Sequence, residues 1–316
     1  MAELSELIGT GSGSGGFLGL PQVSGFDDLT ADIVIFGADC ATPYAPVGAY
    51  CAGGPAAIRQ GAAAYAGDPG RVNFDLFGPI LPKGVRVVDA GDLPQDPGDA
   101  PGNRARISDA ARAVLDAGGV PVLLGGDDSL PIPLLEALSD KGPLTILQID
   151  AHIDWRDEVH GERLGLSSTM RRASEMGHVE RIIQVGARGV GSAGMGSLHA
   201  AQDWGAHLIP AHELDAGGIK RALDLVPDGS QVAICLDVDA LDPSIMPAVI
   251  APTAGGLSYG QALQLIRGTA DKARIAAFDM VEFMPDADRD GIGARTAGQL
   301  LTSVIGLIAR QVAVTR

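Results

Sequence analysis

Residues 144–154 read LTILQIDAHID, and residues 232–239 read VAICLDVD. Each is a short, almost wholly apolar run that ends abruptly in carboxylates. Lack of alternation over five or six residues is the pattern of a strand covered on both faces. Six further runs of this kind occupy residues 33–37, 85–88, 120–124, 181–185, 207–210 and 275–278, with longer stretches of helical composition between them. The alternation predicts βα units around an about eight-stranded, mostly parallel sheet, an α/β fold in one doubly wound domain. Ser108 is read as the cap of a helix over 109–117 that Gly118-Gly119 ends. Ser258 with Gln261 forms a capping-box signature for a helix running to about Lys272. The Pro/Gly/Asp-rich stretch 90–103 reads as a loop. Residues 9–16, GTGSGSGG, read as a flexible arm; the expected division is an arm over 1–16 and a single catalytic domain over 17–316.

The chain has 316 residues, 46% hydrophobic, and a formal net charge of −16. That apolar fraction is ample for a large core, and it excludes global disorder. The acidic balance excludes general nucleic-acid binding, which needs surplus Lys and Arg, and it favours cationic ligands weakly. Uninterrupted apolar runs fall far short of the ~18 to 20 residues of a membrane span, so no membrane partner is expected. The three cysteines, Cys40, Cys51 and Cys235, are too few for a disulfide framework and suit a reducing compartment. With no basic cluster before an apolar stretch at the N-terminus, the expected location is cytoplasmic.

In doubly wound sheets the site lies beyond the carboxyl ends of the strands. There, 120–124 leads into Gly125-Gly126-Asp127-Asp128-Ser129, 144–149 into Asp150-Ala151-His152-Ile153-Asp154, 232–236 into Asp237-Val238-Asp239, and 275–278 into Asp279-Met280-Val281-Glu282. Residues two apart in an extended chain share a face, which would align Asp150, His152 and Asp154, and likewise Asp237 with Asp239. Taken singly, these segments have ordinary readings as turns and caps. Together, five or more converging carboxylates could not all stay ionised without cations. Hard oxygen ligands with one imidazole suit Mn2+, and less specifically Ni2+, Fe2+, Co2+ or Zn2+.

The same segments resemble the ureohydrolase family of arginases, agmatinases and related guanidino-group hydrolases. GGDDS at 125–129 looks like that family's Gly-Gly-Asp-His-Ser, DAHID at 150–154 matches its Asp-Ala-His-x-Asp, and CLDVDALDPSIMP at 235–247 matches its Ser-x-Asp-x-Asp signature. Weaker support comes from Gly53-Gly54-Pro55 with Ile58-Arg59, from Gly255-Gly256-Leu257, and from Asp279-x-x-Glu282-x-x-Pro285. The FLGLP at 17–21 and GGLSY at 255–259 look more like the agmatinase branch. The resemblance implies a three-layer α/β/α, arginase-like fold and hydrolysis of a guanidino compound to urea and an amine by a metal-bridging hydroxide. The implied substrate is a small cationic guanidino compound such as agmatine, guanidinobutyrate or a related alkylguanidine. It further implies two divalent metal ions, Mn2+ first and Ni2+ second. Asp150 and Asp237 would bridge, with Asp128 and Asp154 completing one site and His152 and Asp239 the other. Glu282 would hold the guanidinium, Asp154 would help to hold the reacting centre, and His160, in His160-Gly161, is the candidate proton carrier and substrate contact. Trp155 either walls the pocket or packs in the core, and 162–170 borders the specificity pocket. The family also implies a homo-oligomer, a trimer or hexamer.

Asp128 stands where most of that family has histidine. The five carboxylates of the ligand set then carry −5 against +4 from two divalent ions, where the usual set carries −4. An extra negative charge reduces Lewis acidity and raises the pKa of a bound water. Three outcomes stay open: a hard metal that prefers carboxylate, a different metal, or a weakened site. The last would make the chain a silent subunit in a hetero-oligomer with an active paralogue. Formimino or amide hydrolysis on the same scaffold is the remaining alternative.

Overall fold

All eight apolar runs become strands of one parallel sheet. In the computed structural model, which describes residues 16–191, 193–214 and 216–315, they are β1 (Ile33–Ala38), β4 (Val87–Asp92), β5 (Val120–Gly125), β6 (Leu144–Ile149), β7 (Val179–Val185), β8 (His207–Ile209), β9 (Gln231–Asp237) and β10 (Arg274–Val281). A separate two-residue ladder pairs β2 (Val72–Asn73) with β3 (Gly78–Pro79). The large sheet has the order β4-β1-β5-β10-β9-β6-β7-β8, and every neighbouring pair is parallel. The arm expected over 1–16 lies, but for Gly16, outside the described residues.

Successive side chains on the central strands enter opposite cores, as a pleat requires, but for a register shift on β10 at Ala276. Along β5, Val122 and Leu124 join one cluster and Leu123 the other; along β9, Ile234 and Leu236 oppose Ala233 and Cys235. One face is covered by α1 (Gly54–Gly61), α6 (Ala216–Asp224), α7 (Tyr259–Lys272) and α8 (Ile292–Thr315), with α8 packed against both α1 and α7. The other carries α2 (Ala100–Asp116), α3 (Pro131–Glu136), α4 (Thr169–Ala173) and α5 (Met195–Trp204). This is a three-layer α/β/α arrangement.

α8 is long and apolar enough to cross a bilayer by length and composition, yet 67% of its most apolar window is buried within the fold. Leu300, Leu301, Val304, Ile305 and Ile308 are fully buried, as befits a core helix. Gly298, Thr302, Ser303 and Gly306 interrupt its apolar run, which hides it from a search for uninterrupted segments.

Two boundaries differ most from the sequence reading. β4 runs on through Ala90-Gly91-Asp92, because Asp89 is buried beneath a two-pronged ion pair with Arg59, at 2.8 Å from Nε and 3.0 Å from Nη2, so its charge does not break the strand. α2 begins nine residues before 109, where the Asp99 side chain accepts from the Gly102 N–H at 3.0 Å and Pro101 occupies the first turn. Ser108 is therefore interior. The Ser258–Gln261 capping box is present as expected.

The strands β5, β10, β9 and β6 are consecutive in the sheet. β6 follows β5 in sequence but lies beyond two intervening strands, so the segments leaving their carboxyl ends diverge and open a crevice there.

Candidate metal centre

Gly126 sets the first segment. Its N–H donates to the Ala38 carbonyl at 3.0 Å, and its carbonyl accepts from the Glu282 N–H at 2.7 Å. A Cβ here would stand 2.5 Å from the Asp39 carbonyl oxygen, so any larger residue would force the turn to shift. Asp127 faces inward and accepts from the Ser129 N–H at 3.0 Å, a local structural bond. Asp128 donates its N–H to Glu282 Oε1 at 2.8 Å, and its carbonyl takes the Thr169 hydroxyl. The Asp128 Oδ2 is buried without any hydrogen-bond partner.

The second segment does not stay extended. Asp150 accepts from the His152 N–H at 2.6 Å, which bends the chain directly after β6. Asp154 then adopts a left-handed backbone, φ 50°, a conformation that costs a non-glycine residue energy and marks functional turns. His152 and Asp154 are thus sent to opposite ends of the cluster. Similarly, Asp237 and Asp239 are separated by a 3-10 turn, Val238–Ala240, in which Asp237 accepts from the Asp239 N–H at 2.7 Å. The shared-face expectation fails in both segments because the strands end at the first carboxylate, and local Asx-type bonds take over.

The result is two ligand groups with a common member. Asp150, His152 and Asp239 bring one donor atom each within 4.8 Å of one another, and so do Asp128, Asp150 and Asp154. His152 Nδ1 lies 3.0 Å from Asp239 Oδ2. Asp237 is buried beside them, outside both groups. Burial pushes the Asp128, Asp154 and Asp237 carboxyls well above the usual range, and their neighbouring carboxylates push them further. Burial also raises Asp150, but hydrogen bonds from His152 and Asp154 outweigh it and hold its pKa low. Hydrogen bonds to Asp150 and then Asp239 lift His152 to about 11. Repelling buried carboxylates with one imidazole and an orphaned oxygen are a donor set that suits divalent cations.

Glu282 closes the crevice from β10. It also has a left-handed backbone, φ 66°, and its carboxylate accepts the Tyr50 hydroxyl at 2.6 and 2.7 Å from its two oxygens. Burial is the main cause that raises its pKa to about 8. A cavity of about 370 Å³ adjoins the cluster, lined by His152 and Asp154 together with Ile153, Met195, Leu198 and Pro210, but not by Glu282. Trp155 borders it but is only 2% exposed; its ring packs against Trp204 and its indole N–H donates to Gln184 at 2.7 Å. Ser167, within the 162–170 stretch, contributes to the lining. His160 is exposed at the tip of a two-residue turn between Val159 and Glu162, with φ 52°, and is not part of that lining.

Several contributors escaped the sequence reading. Arg188 donates to the carbonyls of Asp239, Ala240, Leu241 and Thr253 at 2.7–3.3 Å, which pins the turn that carries Asp239. Gln148 and Gln184 are register partners across β6 and β7, and both are buried. Their signal was a polar residue inside an otherwise apolar strand, a placement that demands partners. Tyr50 had no such signal.

A model of the arginase family matches residues 31–306, and the chain belongs to that family. A mitochondrial guanidino acid hydrolase of Homo sapiens is 31% identical over 70% of this chain and 64% of its own length. An N(1)-aminopropylagmatine ureohydrolase of Thermus thermophilus is 34% identical over 72% of this chain and 75% of its own. Among solved structures, the proclavaminate amidino hydrolase of Streptomyces clavuligerus superposes with a TM-score of 0.78 at 26% identity, covering 94% of this chain and 97% of that one. The relatives bear out both the arginase-like fold and the likeness to agmatinase-type ureohydrolases, and the chain is a hydrolase of C–N bonds.

Proposed function

We propose that this chain hydrolyses agmatine, guanidinobutyrate or a related alkylguanidine to urea and an amine, with two divalent ions, Mn2+ by first choice and Ni2+ by second. The observation that carries the reading is the shared vertex: Asp150 belongs to both ligand groups. Asp128, Asp150 and Asp154 would hold one ion, and Asp150, His152 and Asp239 the other. Asp237, buried beside the two groups, would supply a further carboxylate to the ions, as the family likeness implies. When bound, such a pair of ions lowers the pKa of a water and supplies hydroxide near neutral pH.

The chain's own residues supply recognition and order. Glu282, buried and aimed by the Asp128 N–H and the Tyr50 hydroxyl, is the anion that receives the guanidinium. Burial and the Glu282 charge push the Tyr50 hydroxyl far above its ordinary pKa, so it stays a neutral donor. The apolar lining of the adjoining cavity, Ile153, Met195 and Leu198, suits a short alkyl chain. His160, exposed on its turn and outside the cavity lining, would return a proton to the leaving amine only if that turn swung over the crevice. All three relatives described above are named for hydrolysis of guanidino or amidino substrates, which supports this class.

The test is colorimetric urea release by the purified chain, loaded separately with Mn2+ and Ni2+, across a panel of guanidino compounds. Urea from a panel member is the expected result. Silence from the whole panel with both metals, or ammonia or formamide in place of urea, contradicts the proposal.

A further inference from the structure

Between the second core and the crevice runs a buried chain of three side chains: Trp155, Gln184 and Gln148, exposed by 2%, 1% and 1%. The Trp155 indole N–H donates to Gln184 Oε1 at 2.7 Å. The Gln184 amide nitrogen donates to the Ile153 carbonyl at 2.8 Å and to Gln148 Oε1. The Gln148 amide nitrogen then donates to Asp150 Oδ2 at 2.6 Å and to Asp154 Oδ2 at 2.7 Å. The direction of the whole chain follows from its first member. An indole nitrogen can only donate, so the Gln184 oxygen must face it, its amide nitrogen must face Gln148, and the Gln148 oxygen is thereby consumed. Two N–H donors, and no acceptor, are left for the two carboxylates. Were either amide turned over, an oxygen would be forced against another acceptor in a dry interior.

We infer that Trp155, Gln184 and Gln148 form a polarity relay that positions Asp150 and Asp154 for divalent-cation binding. This rests on the two-ion reading above. Gln148 ties the vertex common to both ligand groups to a member of only one, holding the two carboxylates at one spacing and leaving their remaining lone pairs to the crevice. It also sets two donors against the two carboxylates that share a ligand group with Asp128. The three are positioning residues: none is itself a ligand. Supporting groups of this kind change metal affinity by about 10- to 100-fold when removed.

The experiment is Mn2+ binding to the metal-stripped full-length protein, by isothermal titration and by the free-ion electron paramagnetic resonance signal. It covers wild type, Gln148→Met, Trp155→Phe and the double variant, with thermal melting to verify folding. Gln148→Met keeps length and removes both donors; Trp155→Phe keeps an aromatic ring and removes only the donor that sets the direction. The expected result is a dissociation constant raised at least about tenfold in Gln148→Met, a smaller rise in Trp155→Phe, and no additional loss from Trp155→Phe once Gln148 is gone. Should Gln148→Met not fold, the Trp155→Phe constant decides alone. Wild-type affinity in Trp155→Phe, or losses that simply add in the double variant, overturns the relay while leaving the metal centre intact. A wild type that binds no Mn2+, and no Ni2+ when titrated in the same way, overturns both.

Discussion

With a guanidinium bound against it, replacing Glu282 by glutamine removes one negative charge and almost nothing else. The side chain keeps its shape, an oxygen to accept the Asp128 N–H that now lies 2.8 Å away, and a contact for the Tyr50 hydroxyl. Glu282 is 4% exposed, so a guanidinium bound there is paired with a largely dehydrated carboxylate. Breaking a buried, hydrogen-bonded charge pair costs about 2–5 kcal/mol; at 1.36 kcal/mol per tenfold, that is about a 30- to 5,000-fold loss in kcat/KM. The assay is initial-rate urea release over a range of substrate concentrations, with Mn2+ content and melting temperature measured on the same preparation. Both should stay near wild type, since Glu282 lies in neither ligand group. A kcat/KM within about threefold of wild type, with two ions bound, would refute the assignment of Glu282 as the substrate's anion.

Asp128→Ala should lower the Mn2+ content from two ions per chain to one, read by inductively coupled plasma mass spectrometry; retention of both would remove Asp128 from the ligand set. In the metal-free protein, burial raises Asp279 to about 7 and Glu282 to about 8. Asp128, Asp154 and Asp237 move the same way, and Asp150 runs opposite. A raised folded-state pKa means that the folded state holds the extra protons, so stability present below about pH 4 is lost as pH rises through 7 to 8. Melting temperature without metal should therefore fall across that window, and Mn2+ at about 100 times its dissociation constant should restore about 2.7 kcal/mol; a melting temperature insensitive to Mn2+ at pH 8 would contradict this. Gly126→Ala places a methyl 2.5 Å from the Asp39 carbonyl oxygen and should cost about 1–3 kcal/mol in chemical denaturation, with weakened Mn2+ binding because Asp128 moves too.

The strands were legible because burial on both faces leaves a monotone apolar signature, and because two of the expected metal ligands, Asp150 and Asp237, end such runs abruptly. What happens after each break was not legible. Asp154 turns left-handed and Val238–Ala240 forms a 3-10 turn, choices made by carboxylates that accept nearby N–H groups, which a two-residue periodicity does not encode. β4 extended through Asp89 because Arg59, 30 residues away, neutralises it. The start of α2 was concealed in a Pro/Gly/Asp stretch, where the same residues that build loops also cap helices. Gln148 and Gln184 were visible as polar intrusions, but their pairing needs the β6–β7 register. Tyr50 reaches Glu282 across 232 residues, a contact that only the closed sheet creates.

The central claim is that guanidino hydrolysis depends on two ions held by ligand groups sharing Asp150. The most direct measurement is the rate of urea formation as metal-stripped protein is titrated with Mn2+ at fixed saturating substrate. The account predicts little urea until about one equivalent is bound and a rise to a plateau as the second fills. A full rate at one equivalent, or urea formed by the stripped protein, would contradict it.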